Sequence, residues 1–316
     1  MIVDGLVVAK PNRELFESLK KGGLTAANFT CSIWESLEAT INNVADWTQR
    51  FEENKDIIVQ IKTVADIEKA RDDGKVGIIL GWQNSSGYGD YLPNVRLFKD
   101  LGVGIVQLTY NSANSVGGGC YESRDGGLSD FGRALVEEMN AAGVLVDLSH
   151  VGPVTSKEAI DCSKMPVAYT HCCPSALFQH PRNKSDDQLR YISQHDGFVG
   201  VGAAVPHFMP KGWDTTVDDF VDVLDHVRNI VGSDQIGLGT DLVQGQPPEF
   251  FDWIGRDKGT GRSVTSLPAF PVIKGFEDGA DYHNIVRAIE RRYSSGDAEK
   301  ILGRNWLAFL QHVWRN

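Results

Sequence analysis

The chain has no apolar run of about 18 residues or more, so no membrane-spanning helix is expected. Its first residues carry no basic stretch followed by an apolar core, so no secretion leader is read there, and a cytoplasmic protein is expected. Positive charge is scarce: 31 Lys and Arg stand against 42 Asp and Glu, a net charge of -11. Nucleic acid and anionic membrane surfaces both demand basic patches, so neither is an expected partner. Cysteine is sparse, odd in number and scattered, at Cys31, Cys120, Cys162, Cys172 and Cys173. That pattern suits reduced thiols rather than a disulfide framework. No glycine-rich phosphate-binding turn follows the first strand-like run, which argues against a dinucleotide-binding fold. There is no internal repeat and no low-complexity tract.

What is present is an ordinary globular composition, 41% apolar and 23% charged over 316 residues, enough for a large core. Short Val- and Ile-rich runs read as strands: 1–8, 24–30, 76–80, 104–109, 144–149, 167–170, 198–203 and 236–239. They lack polar alternation, as strands buried on both faces do in a parallel sheet. The run 57–61 is a further short piece, suited to an edge. Helical periodicity fills the gaps at 64–71, 94–101, 128–142, 154–162, 187–194 and 217–231. Ser129 is a candidate N-cap, and Gly143 a helix stop. Eight strand–helix units without a break in composition predict an α/β fold, a single closed (β/α)8 TIM barrel over residues 1–316. An open doubly wound sheet is the alternative. Residues 244–275 carry Pro, Gly and aromatics without periodicity and read as a long loop, a lid or an interface arm. Helices at 282–290 and 297–314 close the chain.

Chemistry in an α/β barrel sits where strands end. One strand ends in His150, another in His171, and the last in Thr240-Asp241. Two more end in Trp82-Gln83-Asn84 and Tyr110-Asn111. Neighbouring strands lie about 4.8 Å apart, and imidazole is the usual zinc ligand, so His150 and His171 form a candidate metal pair. Asp241 would hold a metal or move a proton. The competing reading makes each histidine a rim residue bonded to backbone. The other six histidines fall on helices or loops and read as surface residues. Arg182 and Asn183, in "HPRNKSDDQL", lie in the loop that should overhang the site. A guanidinium there suits a substrate carboxylate.

Four stretches, "GGLSDFGRALVEEMNAAGVLVDLSHVG", "PVAYTHCCPSALFQHPRNKSDDQL", "IGLGTD" and "ILGRNWLAFL", resemble the membrane (renal) dipeptidase family, peptidase family M19. The likeness runs from Asp4 to Leu310. It implies a metal-dependent, amidohydrolase-like barrel that cleaves dipeptides with two zinc ions sharing a bridging Glu. Matched by motif, His150 and His171 fall on the histidines of the second metal, Asp241 on the acid that handles the proton, and Arg182 on the residue that binds the substrate carboxylate.

The opening stretch, "MIVDGLVVAK", departs from that pattern. The family's first strand ends in Asp-Gly-His-Asn-Asp, whose His-x-Asp binds the first metal. Here Asp4-Gly5 keep the frame, but Leu6 and Val8 replace both ligands. Gln83 stands at the bridging Glu, and Tyr110 at a histidine that polarises the scissile carbonyl. These changes are mutually consistent: a carboxylate bridge has no purpose once one cation is gone. The expected site is therefore mononuclear, with one zinc or similar divalent ion on His150 and His171. Asp241, Gln83 or Cys120 are candidates for a third donor, Cys120 because Gly117–Gly119 would let its loop bend inward. Tyr110 and Asp241 are the candidate catalytic groups, and Arg182, Asn183 and Tyr110 the candidate substrate contacts. The expected reaction is hydrolysis of a dipeptide-like or small amino-acid-derived substrate bearing a carboxylate. A lyase or isomerase, or a non-catalytic binding protein, are the alternatives. Trp82, Trp213 and Trp253 are candidates to line an aromatic pocket. The family likeness allows a homodimer.

Overall fold

The computed structural model describes residues 1–265 and 272–314. Among these, nine strands form one parallel sheet: β1 Val3–Val7, β2 Ala26–Ser32, β3 Ile58–Gln60, β4 Val76–Trp82, β5 Val103–Gln107, β6 Leu145–Asp147, β7 Ala168–Cys172, β8 Phe198–Val201 and β9 Ile236–Leu238. Their order is β2-β1-β9-β8-β7-β6-β5-β4-β3, and β2 also pairs with β4. That pairing closes eight strands into a barrel. Strand β3 stays outside the ring on the first half of β4, whose second half pairs with β5. The run 57–61 is thus an edge piece, and the ring strands are those read from the sequence, their ends moved by no more than two residues.

The helices follow local chemistry. Ser129 Oγ accepts from Gly132 N at the start of Asp130–Ala142, and Gly143 ends it at φ +70°. Thr216 and Asp219 form a capping box ahead of Val217–Val231. The sequence reading missed two helices, Arg13–Lys21 and Leu37–Glu53. The second buries only Thr40, Val44 and Trp47 of its 17 residues, too thin an apolar stripe to stand out.

The helix Asn305–Trp314 seals the end of the barrel where the strands begin. Trp306 Nε1 donates to the Leu238 carbonyl at 2.8 Å, and Trp314 Nε1 to that of Gly104 at 3.2 Å. Both rings pack among Val3, Ala26, Ile79, Ile105, Leu145 and Ala168. This packing explains Gly5: a Cβ there would lie 2.4 Å from the Thr170 carbonyl oxygen and 2.6 Å from the Trp306 ring.

The acid in the first strand is a staple between strands. Asp4 Oδ1 accepts from Leu6 N at 3.0 Å and Thr240 N at 2.8 Å, and Oδ2 accepts from Thr240 Oγ1 and the Tyr282 hydroxyl. Asp147 repeats the device between β6 and β7, accepting from Ser149 N, Ser149 Oγ, Thr170 N and Thr170 Oγ1. At the other end of the barrel, the first part of the stretch 244–275, read as a loop, is partly helical. It carries the helix Pro248–Ile254, whose Phe251 and Ile254 are buried against Val8, Ile33, Tyr110 and Val243. Residues 266–271 of that stretch lie outside the described residues.

Candidate active site

The ends of β1, β4, β5, β6, β8 and β9, with the loop after β7, meet around a cavity of about 40 Å³, set in about 520 Å³ of free space that includes its open mouth. Gln83, Tyr110, His150, Arg182 and Asp241 line it. Five of the residues singled out from strand ends and the 182 loop are therefore brought together. His171 lies directly behind, its Nε2 at 3.1 Å from His150 Nε2.

The histidine pair has a defined protonation pattern. His150 Nδ1 is 2.7 Å from Asn111 Oδ1, an acceptor, so this nitrogen carries the ring proton. Asn111 sits at φ +59°, a left-handed conformation that asparagine tolerates. His171 Nδ1 is 2.8 Å from Thr170 Oγ1, whose single hydrogen goes to Asp147 Oδ2 at 2.7 Å. His171 Nδ1 is therefore a donor too. Both Nε2 atoms then present lone pairs to the same gap. Burial, and the nearby Arg182 guanidinium after it, hold both imidazoles well below the ordinary histidine pKa, so neither is charged. Two lone pairs face to face repel unless a cation lies between them. A tetrahedral ion with bonds of about 2.0–2.1 Å holds two imidazole nitrogens about 3.3 Å apart. The pair fits a divalent ion in donor type, protonation and spacing.

The third donor is less defined. Among the described residues, no three His, Cys, Asp or Glu side chains converge as a metal site. Cys120 lines a neighbouring cleft rather than this pocket, and its thiol faces Asn111 Oδ1 at 3.8 Å. Burial raises its pKa, so it is a thiol rather than a thiolate. It buttresses the residue that orients His150. Gln83 lines the pocket, with Nε2 donating to Thr30 Oγ1 at 3.0 Å. Asp241, at φ +60°, is on the rim, and among the described residues its carboxylate makes no hydrogen bond.

Arg182 is 3% exposed. Its two terminal nitrogens donate to the carbonyls of Ser149 and His171, each at 2.6 Å, so it is anchored to the strand ends that carry the histidines. Its Nε–H is buried without a partner while the residue lines the pocket. Burial pushes Asp241 up to about 6, with Arg182 opposing the rise. The Tyr110 ring stacks on His150 at 4.2 Å between centroids, and burial pushes its phenol far above the ordinary range, so it is a neutral donor.

Other expectations are corrected. Asn183 does not face the pocket: its Nδ2 donates to the carbonyls of Phe178 and Phe208, tying two loops together. Trp82 points outward into the core against Tyr88 and Phe98, because Gln83 takes the inward position in the alternation of β4. Trp213 is 52% exposed, and Trp253 packs on the outer side of the Pro248–Ile254 helix cluster. His207, read as a surface residue, is mostly buried on the pocket wall, where desolvation lowers its pKa to about 3. Lys184 was not singled out. It is 1% exposed, donates to the Val151 carbonyl at 2.9 Å and lies over the Tyr169 ring. Burial lowers its pKa to about 8. Nothing local in the sequence marks either residue, since only the barrel's closure turns them inward.

Comparison with known proteins identifies relatives of this chain. A family model described as membrane dipeptidase (peptidase family M19) matches residues 12–253. An uncharacterized dipeptidase of Schizosaccharomyces pombe is 32% identical over 255 residues, covering 78% of this chain and 54% of that protein. A dipeptidase of Aspergillus oryzae is 30% identical over 272 residues, covering 83% of this chain and 58% of that protein. The chain spans about half the length of these curated relatives. Among solved structures, an amidohydrolase from Pseudomonas aeruginosa is 47% identical, with a TM-score of 0.98, over 100% of this chain and 97% of that one. A metallo peptidase from Rhodobacter sphaeroides, solved with a phosphinate mimic of L-Ala-D-Ala, shares the fold at a TM-score of 0.82 and 18% identity, over 99% of each chain.

Proposed function

The chain belongs to the membrane dipeptidase family, peptidase family M19, and on that premise we propose a mononuclear metal-dependent hydrolase that cleaves an amide bond in a small amino-acid-derived substrate. The observation that carries this reading is the pair of buried, neutral imidazoles whose Nε2 lone pairs share one 3.1 Å gap. His150 and His171 would hold the ion, with zinc the natural occupant of two imidazoles. Such an ion lowers the pKa of a bound water and polarises a carbonyl.

The chain's own residues supply the rest. Arg182, fixed by two strand-end carbonyls, has a free Nε–H for a substrate carboxylate. Asp241, whose carboxylate makes no hydrogen bond among the described residues, would take a proton from the attacking water and hand it to the leaving nitrogen. Tyr110, neutral and stacked on His150, can donate to the oxygen where negative charge develops. Water's oxygen bonds to the acyl carbon, the C–N bond breaks, and the nitrogen leaves with the proton. A second ion would find no free ligand at β1: Leu6 and Val8 offer none, and Asp4 is taken up by four donors.

The test is metal content by elemental mass spectrometry, on protein purified without added metal. About one divalent ion per chain is expected, and almost none in His150→Ala and His171→Ala. Two ions per chain would show a ligand set beyond this pair. None, with the fold intact by circular dichroism, would remove the hydrolytic reading.

A further inference from the structure

One part of the pocket's lining is apolar. Val8, Val243, Phe251 and Ile254 line the pocket together, and with Ile33 and Tyr110 they form one continuous apolar cluster. Val8 stands on the backbone bridge that joins the end of β1 to the stretch after β9, with Val8 N donating to the Leu242 carbonyl at 2.9 Å. Phe251 and Ile254 come down from the Pro248–Ile254 helix above. Among the described residues lining the pocket, only Arg182 and Asp241 are charged, and Asp241 already lies in the field of Arg182.

A free dipeptide is a zwitterion. With its carboxylate on Arg182, its ammonium would be stripped of water in a pocket whose described lining offers it only Asp241 as a charged partner. Burying an ammonium without a partner is among the costliest events in recognition. The one carboxylate available is the group that the proposed hydrolysis needs for proton transfer. An uncharged acyl group meets no such cost and gains from apolar contact. The cavity is small, about 40 Å³, so a short acyl group suits it better than a long one.

We propose that the pocket takes an N-blocked amino acid, with its carboxylate at Arg182 and a short, uncharged acyl group against Val8, Val243, Phe251 and Ile254, in preference to a free dipeptide. This deepens the amide-hydrolase reading and rests on its placement of the carboxylate, but binding can be read without turnover. For hydrolysis of N-acetylalanine, water adds across the amide to give acetate and alanine.

The experiment compares N-acetylalanine with glycylalanine, in both alanine enantiomers, on the metal-loaded protein. The two ligands differ only in that an ammonium–methylene group replaces the acetyl methyl. Binding is read by isothermal titration and turnover by release of free amine. At least tenfold tighter binding of one N-acetylalanine enantiomer is expected. Val8→Asp should narrow that ratio by giving the ammonium a partner, and Val8→Asn, uncharged and of similar size, should not. The wild-type ratio decides the matter even if Val8→Asp fails to fold. Glycylalanine binding as well as or better than N-acetylalanine overturns the proposal, and so does binding of neither. Tight N-acetylalanine binding without turnover upholds the proposal and removes the hydrolase reading. Turnover of glycylalanine with equal binding does the reverse.

Discussion

Asp241 is the residue on which the proposed chemistry turns, and its environment sets a pH signature. Burial raises its carboxyl to about 6, above the ordinary value near 3.9. A base must be ionised to accept a proton, so kcat/KM should rise with pH through about 6 and level off above it. Asp241→Asn should abolish that acidic limb and lower kcat/KM by about 10²–10⁴. A limb that survives in the variant would belong to another group. Tyr110 makes a second prediction. Tyr110→Phe keeps the ring stack on His150 but removes the hydroxyl. It should lower kcat by about 10²-fold with little change in KM, the pattern of an interaction made only in the transition state. Equal losses in binding and rate would make Tyr110 a ground-state contact.

Strand ends are held together here by buried polar staples rather than by apolar packing alone. Asp4 ties β1 to Thr240 beyond β9 and to Tyr282 at the start of the helix Tyr282–Arg292. Asp4→Ala would leave four donors without their acceptor. The expected cost is on the order of 3 kcal/mol, roughly a 4–5 °C fall in Tm for a chain of this size. Thr240→Val in the Asp4→Ala background should cost much less than in the wild type, because both changes break one network. Additive losses would mean the two residues act independently. The Pro248–Ile254 helix plays a different part: it brings Phe251 and Ile254 over the mouth and so sets the character of the pocket wall.

For the molecule as a whole, most ion pairs are exposed, such as Arg13–Asp56 and Lys300–Asp234, and add little to stability. The acid response comes from inside. The pKa of His207 is about 3 in the fold, against about 6.5 in the unfolded chain. Below about pH 6.5 the unfolded chain binds a proton that the folded one refuses, so this residue lowers stability as pH falls, by up to about 1.4 kcal/mol per unit. Asp241, raised in the fold, acts in the opposite sense between about pH 4 and 6. The clean readout is therefore a difference. His207→Gln should gain Tm relative to the wild type between pH 7.5 and 5.5, and a constant gap between the two would show that His207 titrates normally.

The barrel was legible in the sequence because strands buried on both faces leave uninterrupted Val and Ile runs, and because caps such as Ser129 and stops such as Gly143 act locally. His150, His171 and Asp241 were legible because each lies at or just beyond the end of a strand-like run, and strand ends in this architecture share one rim. What only the tertiary structure decided is which side chains turn inward. Asn183 and Cys120 sit beside the site in sequence yet face elsewhere, while His207, Phe251 and Ile254 reach it from distant loops. Asp4 resembled a remnant of a metal motif and is a strand staple whose partners Thr240 and Tyr282 lie more than 230 residues away. Local sequence determines how a backbone segment runs, but the direction a side chain faces at a barrel mouth is settled by closure of the ring and by what packs over it.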